Sequence, residues 1–202
     1  MSFLVVGDAR LADVACAQHG VFSRTQAIEC GLTRAQIDRR VHAGVWLRVF
    51  PRVFRNTAAP LTPLARLWSC VLWAGPGCAL SHCTAALVWR LDGVSARTET
   101  EIIVPARRAP SVRGVVVHRA AQLDDRDVHT VARLPVTSPV RTLIDLAAVL
   151  DDAALTAAVR SASARRVVTA AAVARRLDEM GRSGRPGVSR LRGVLAGARL
   201  VV

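Results

Sequence analysis

Toward the N-terminus the apolar positions fall into three short helical stretches and then an alternating one. In residues 8–19, Leu11, Val14 and Ala15 share one helical face, Asp8 stands at the N-cap, and His19-Gly20 ends the run. Val21-Phe22 is predicted to pack where the chain turns. Ser23 then caps a second short helix with Ala27 and Ile28 facing inward; it stops at Gly31, and Leu32 plugs the turn. Thr33 caps a third helix running to Ala43, where Gly44 supplies the left-handed residue that helices often need at that end. At about 100° per residue, Ile37 and Val41 point inward and Ala35, Gln36, Arg39 and His42 occupy the outward face, with Thr33 and Arg34 at the tip. Two short helices joined through Gly31-Leu32-Thr33 predict a helix-turn-helix. Residues 45–55 are rich in β-branched and aromatic side chains, with Pro51-Arg52 at the middle, so they predict a two-stranded wing carrying Arg48, Arg52 and Arg55.

The texture changes at Pro60. Residues 61–74 and 81–91 predict apolar helices separated by the breaker Gly75-Pro76-Gly77, with Ser81 capping the second. Residues 101–105 and 114–118 predict paired strands flanking the basic linker Arg107-Arg108-Ala109-Pro110. A helix comes next at 139–150, carrying Leu143, Ile144, Leu146 and Ala147, then alanine-rich helices at 152–161 and 169–180. A basic Gly/Ser/Pro loop at 181–187 precedes a last short helix at 188–195. The predicted fold class is α+β: an N-terminal winged helix-turn-helix in residues 1–58, then a mainly helical α/β domain with a small β-sheet in residues 59–202.

Composition adds a partner class to this outline. Hydrophobic residues make up 51% of the chain, enough to bury a core and to argue against disorder. The net charge is +13 and all 28 basic residues are arginine. Coding bias in a GC-rich genome accounts for Arg in place of Lys, but not for the excess over 15 acidic residues. Such an excess points to a polyanion, because arginines gain affinity for phosphates by releasing condensed counterions. Residues 24–55 concentrate the signal, with seven Arg against Glu29 and Asp38 alone. Arg and Gln on the third helix suit guanine and adenine edges in the major groove, and wing arginines suit phosphates or the minor groove. The candidate DNA-binding residues are therefore Ser23, Arg24, Thr33, Arg34, Gln36, Arg39, Arg40, His42, Arg48, Arg52 and Arg55. A protein–protein module is the competing reading of the same helices and hairpin.

The same residues exclude most catalytic chemistries. Without lysine there is no Walker-type phosphate loop, Schiff-base lysine or lysine-bearing nuclease site; without tyrosine there is no tyrosine-nucleophile strand transfer. No H-E-x-x-H, G-x-S-x-G or G-x-G-x-x-G occurs, so neither enzyme activity nor a cofactor is expected. Asp124-Asp125-Arg126-Asp127 reads as a solvated turn. Cys78, His82 and Cys83 read as helix packing, since a fourth ligand is missing, and no metal is expected. The five cysteines form no C-x-x-C pair and read as reduced, mostly buried thiols. The apolar run 64–80 is broken by Arg66 and Gly75-Pro76-Gly77, and the N-terminal apolar run Phe3 to Val6, with no basic residue before it, is too short for a signal peptide, so the expectation is a cytoplasmic protein without a membrane span.

The run from Gln18 to Arg55, with G-V-F-S-R-x-Q-A, G-L-T-R-x-Q-I-D-R-R-V and G-V-W-x-R-V, resembles the N-terminal domain of AbiEi-type antitoxins of type IV toxin–antitoxin systems. The middle of the chain resembles actinobacterial relatives in which an α/β domain succeeds the winged helix, through Leu80-Ser81-His82, Ala85-Ala86, V-V-V-H-R from Val115 and L-P-V-T-S-P-V-R-T-L-I-D-L-A from Leu134. The resemblance implies a regulator that binds double-stranded DNA at repeats in its own promoter and antagonises a nucleotidyltransferase-like toxin. Many relatives continue into a very-short-patch-repair-type endonuclease domain, which is expected to be absent here. A second reading is thus a truncated, non-catalytic member of that endonuclease-bearing group retaining its DNA-targeting part.

Overall fold

Seven side chains that all but vanish from solvent, Leu11, Phe22, Ala27, Leu32, Ile37, Trp46 and Phe54, organise the first part of the computed structural model. The structure describes residues 6–197 apart from 109, 122 and 181–186, so most of the predicted basic loop 181–187 lies outside the described residues. Around this core stand α1 (Val6–Ala17), α2 (Arg24–Glu29) and α3 (Arg34–His42), with strands β1 (Val21–Ser23), β2 (Trp46–Phe50) and β3 (Val53–Asn56). The segment read as a packed turn is strand β1. It runs antiparallel to β3, with Phe22 opposite Phe54, and completes a three-stranded sheet of order β1-β3-β2. Phe22 meets the Trp46 ring edge-on at 4.8 Å, a geometry aromatic quadrupoles favour.

The turn between α2 and α3 rests on two close requirements. Gly31 has φ +101°, which a side chain would strain, and Gly7 of α1 lets the Cys30 carbonyl come so near that a Cβ would sit 2.8 Å from it. Leu32 is 2% exposed in this corner, as its role of plug requires. Ile28, expected inward, is 41% exposed; a six-residue helix offers one buried position here, and Ala27 takes it.

The chain divides into two compact units, Met1–Pro76 and Gly77–Val202. Helix α4 (Pro63–Ala74), whose apolar texture assigned it to the domain beyond residue 58, packs on β1, β2 and β3, with the Trp73 ring 6.0 Å from Phe50. An apolar helical face announces that it will be buried, but not against which sheet.

The second unit has a five-stranded sheet of order β6-β5-β4-β8-β7, from β4 (Ala79–Leu80), β5 (Thr100–Pro105), β6 (Val115–Ala120), β7 (Val128–Val131) and β8 (Leu134–Thr137). The two predicted strands do pair, and they are parallel. Helices α5 (His82–Val88), α6 (Pro139–Leu146), α7 (Asp152–Ala164), α8 (Ala170–Glu179) and α9 (Val188–Gly197) bury a common core that includes Leu143, Leu146, Leu155, Val159, Leu177 and Leu191. The whole is a mixed α/β structure with small sheets. Among the described residues, no helix is long and apolar enough to cross a membrane.

Candidate nucleic-acid interface

Helix α3 is started by a reciprocal cap. The Thr33 hydroxyl accepts from the Gln36 backbone N–H at 3.2 Å, and Gln36 Oε1 accepts from the Thr33 N–H at 2.8 Å. Ser23 and Gln26 repeat the device at the start of α2. Ser23, Thr33 and Gln36 thus build helix ends. A glutamine that reads adenine bidentately needs both its amide oxygen and its NH2 group, so Gln36 reads a base only by giving up its half of the cap.

Three of the candidate arginines are turned inward as ties. Arg40 grips Asp8 of α1 through Nη2 at 2.8 and 2.7 Å, donates Nη1 to the Gln36 carbonyl at 3.1 Å, and lies over the Trp46 ring. Arg24 donates to Asp38 at 2.6 Å and covers the Phe54 ring, locking the start of α2 to the flank of α3. The Arg24 hydrogen bond holds the Asp38 carboxyl below the usual aspartate range. Arg55 Nη1 donates to the carbonyls of Asn56, Thr57 and Ala59, closing the chain beyond the hairpin.

What remains is a set of exposed arginines and one exposed histidine. Arg34, Arg39 and His42 on α3, with Arg48 and Arg52 on the hairpin, are exposed and make no side-chain hydrogen bond or ion pair among the described residues. The β2–β3 turn carries Arg52 at φ +63° after Pro51, and the Arg52 carbonyl accepts from the Arg24 backbone N–H at 2.8 Å. One end of the hairpin is thereby pinned beside α2, which fixes where Arg48 and Arg52 stand relative to α3. Such a surface suits a phosphate backbone.

Two clusters in the second unit were not legible in the sequence. Asp127, read as part of a solvated turn, is 1% exposed and instead accepts from Arg176 at 2.9 and 2.6 Å and from Arg141 at 3.4 Å. Asp124 also joins Arg176, at 2.9 Å, and of the four residues only Asp125 and Arg126 are exposed. Arg141 in turn holds Asp145 at 2.8 Å, and burial pushes the Asp145 carboxyl above the usual aspartate range even so. The correction has a plain cause: Arg176 lies 49 residues beyond Asp127, and nothing local marks the pairing.

The second cluster joins His82, Glu101 and His118. Cys83 is buried in the helical core, and its thiol hydrogen-bonds the Glu101 carboxylate at the edge of this cluster. The register brings the three together: Ile103 lies opposite His118 on parallel strands, so Glu101 is its diagonal neighbour on the same face, and His82 opens α5 just after β4. Alternation along β5 and β6 is the only sequence signal of this face, and it does not reveal which strands adjoin.

Residues 9–57 match the family described as "Transcriptional regulator, AbiEi antitoxin". The crystal structure of the RV2827C protein from Mycobacterium tuberculosis is similar, with a TM-score of 0.57 and 17% sequence identity over 95% of this chain and 77% of that one. At that identity the likeness is one of fold. No curated protein matches.

Proposed function

We propose that residues 9–57 form a winged helix-turn-helix that binds duplex DNA, with α3 in the major groove and the β2–β3 hairpin along the backbone or minor groove. In this reading the chain is a cytoplasmic, non-enzymatic transcriptional regulator of the antitoxin kind, which binds repeats in its own promoter and antagonises a nucleotidyltransferase-like toxin. One observation carries it: the segment matching the regulator family coincides with the three helices and hairpin whose exposed cations include Arg34, Arg39, Arg48 and Arg52. Fluorescence anisotropy with the upstream promoter duplex tests it. Affinity should fall steeply with salt, with a slope on the order of −0.9 per phosphate contact, and should be tighter for the promoter than for random duplex. Affinity unchanged between low and moderate salt rejects the reading.

A further inference from the structure

We propose that His82, Glu101 and His118 bind one divalent transition cation of the zinc class, at a site of the second unit outside residues 9–57. One ligand atom from each residue lies within 4.8 Å of the others, drawn from the start of α5 and from two parallel strands. Two imidazoles and a carboxylate suit zinc and its neighbours, whereas calcium and magnesium take oxygen ligands.

The surroundings are arranged as metal-ligand surroundings are. Ser81 is the N-cap of α5 yet makes no side-chain cap bond; its buried hydroxyl sits 3.0 Å from His82 Nδ1 instead. With Nδ1–H donating to that hydroxyl, Nε2 of His82 keeps its lone pair for an ion, the division of labour usual in ligating histidines. The Glu101 backbone is clamped at both groups: its N–H donates to Thr84 Oγ1 at 2.9 Å and its carbonyl accepts from the Ser81 N–H at 3.0 Å. Glu101 Oε2 stands 2.9 Å from His118 Nε2, closer than the roughly 3.4 Å between two donors on one zinc, so the pair parts slightly when an ion takes the place of their hydrogen bond.

The Glu101 carboxylate is only weakly satisfied. Glu101 Oε1 is buried without a hydrogen bond of normal geometry; Arg97 Nε pairs with it at 3.5 Å, and the Cys83 thiol is a weak donor to the same carboxylate. An ion would satisfy that oxygen more fully than the distant guanidinium and the weak thiol donor do.

The His82 and His118 rings stack at 3.4 Å with an 18° interplanar angle, so their in-plane lone pairs run side by side. Donors on a four-coordinate zinc with bonds of about 2.0–2.2 Å stand roughly 3.4 Å apart, so one ring must turn about its Cβ–Cγ bond. His118, with a quarter of its side chain exposed, has the room to do so, and His82 is held by Ser81. That exposed flank also gives the ion its path in.

The test uses the full chain, stripped with a chelator and titrated with Zn2+ by calorimetry. The expected result is one ion per chain, no comparable binding of Mg2+ or Ca2+, and a higher unfolding temperature in zinc. His118→Gln should weaken Zn2+ binding by at least about tenfold. Imidazole nitrogen–proton NMR of the unmodified chain provides a check that no variant can spoil by misfolding. Two ring systems, His82 and His118, should shift on adding Zn2+ while His19, His42 and His129 stay in place. Shifts confined to those three, or full binding by a folded His118→Gln chain, would overturn the proposal.

Discussion

At the scale of single residues, arginine in this chain has two occupations that the sequence does not separate. Arg40 carries two bonds to Asp8 and a ring contact, all partly shielded from water, and it ties α3 to α1. Its neighbour Arg39 is exposed and touches no acid among the described residues. Arg40→Ala should therefore cost about 1–3 kcal/mol of stability in denaturant unfolding, with DNA affinity falling only as the fold does. Arg39→Ala should leave stability within about 0.5 kcal/mol. It should instead remove about 1–3 kcal/mol of preference for the cognate duplex. Equal losses of stability for both variants would erase the distinction.

At the scale of the element, the wing is placed by its turn. Arg52 occupies a left-handed position in which glycine is more comfortable than any L-residue, so Arg52→Gly removes the charge while preserving or easing the backbone. The variant should unfold no earlier than the parent chain. Its DNA affinity should weaken alike for cognate and random duplex, and the salt slope should flatten by about one. A changed base preference in competition binding would mean that the wing reads sequence. The hairpin β7–β8 shows the opposite case of legibility. Its two turn residues, Ala132 and Arg133, have φ +49° and +65°, yet neither is the glycine or asparagine that normally signals such a turn, and no hairpin is predicted there.

Across the whole molecule, the second unit is held partly by a charge network that joins distant stretches of chain. Asp127, Arg141 and Arg176 are each buried, and Asp127 serves both cations. Asp127→Ala takes one of the acids from each of two buried guanidinium groups, Arg176 keeping Asp124 and Arg141 keeping Asp145, and should cost about 1–3 kcal/mol, read from chemical unfolding of the full chain. Asp125→Ala, at the exposed position of the same run, should change stability by less than about 0.5 kcal/mol. If Asp127→Ala proved as mild as Asp125→Ala, the network would contribute nothing net.

Interactions between neighbours within one or two helical turns were enough to specify part of this molecule. The caps at Ser23 and Thr33, the glycine-dependent corner at Gly31, the extent of α3 and the two-residue wing turn all arise from local hydrogen bonding and backbone preference, and all stand where the pattern put them. The inward aim of Ile37 comes from helical period for the same reason. Packing between distant stretches settled the strand identity of Val21–Ser23, the sheet that α4 covers, and the parallel pairing of β5 with β6. It also settled which arginines are spoken for and which acids are buried. An arginine's long side chain reaches an acid on any element brought near it, and that nearness is a property of the packed chain. The cluster of His82, Glu101 and His118 belongs to the same class, since strand register and the β4–α5 junction place its members together while the sequence keeps them far apart.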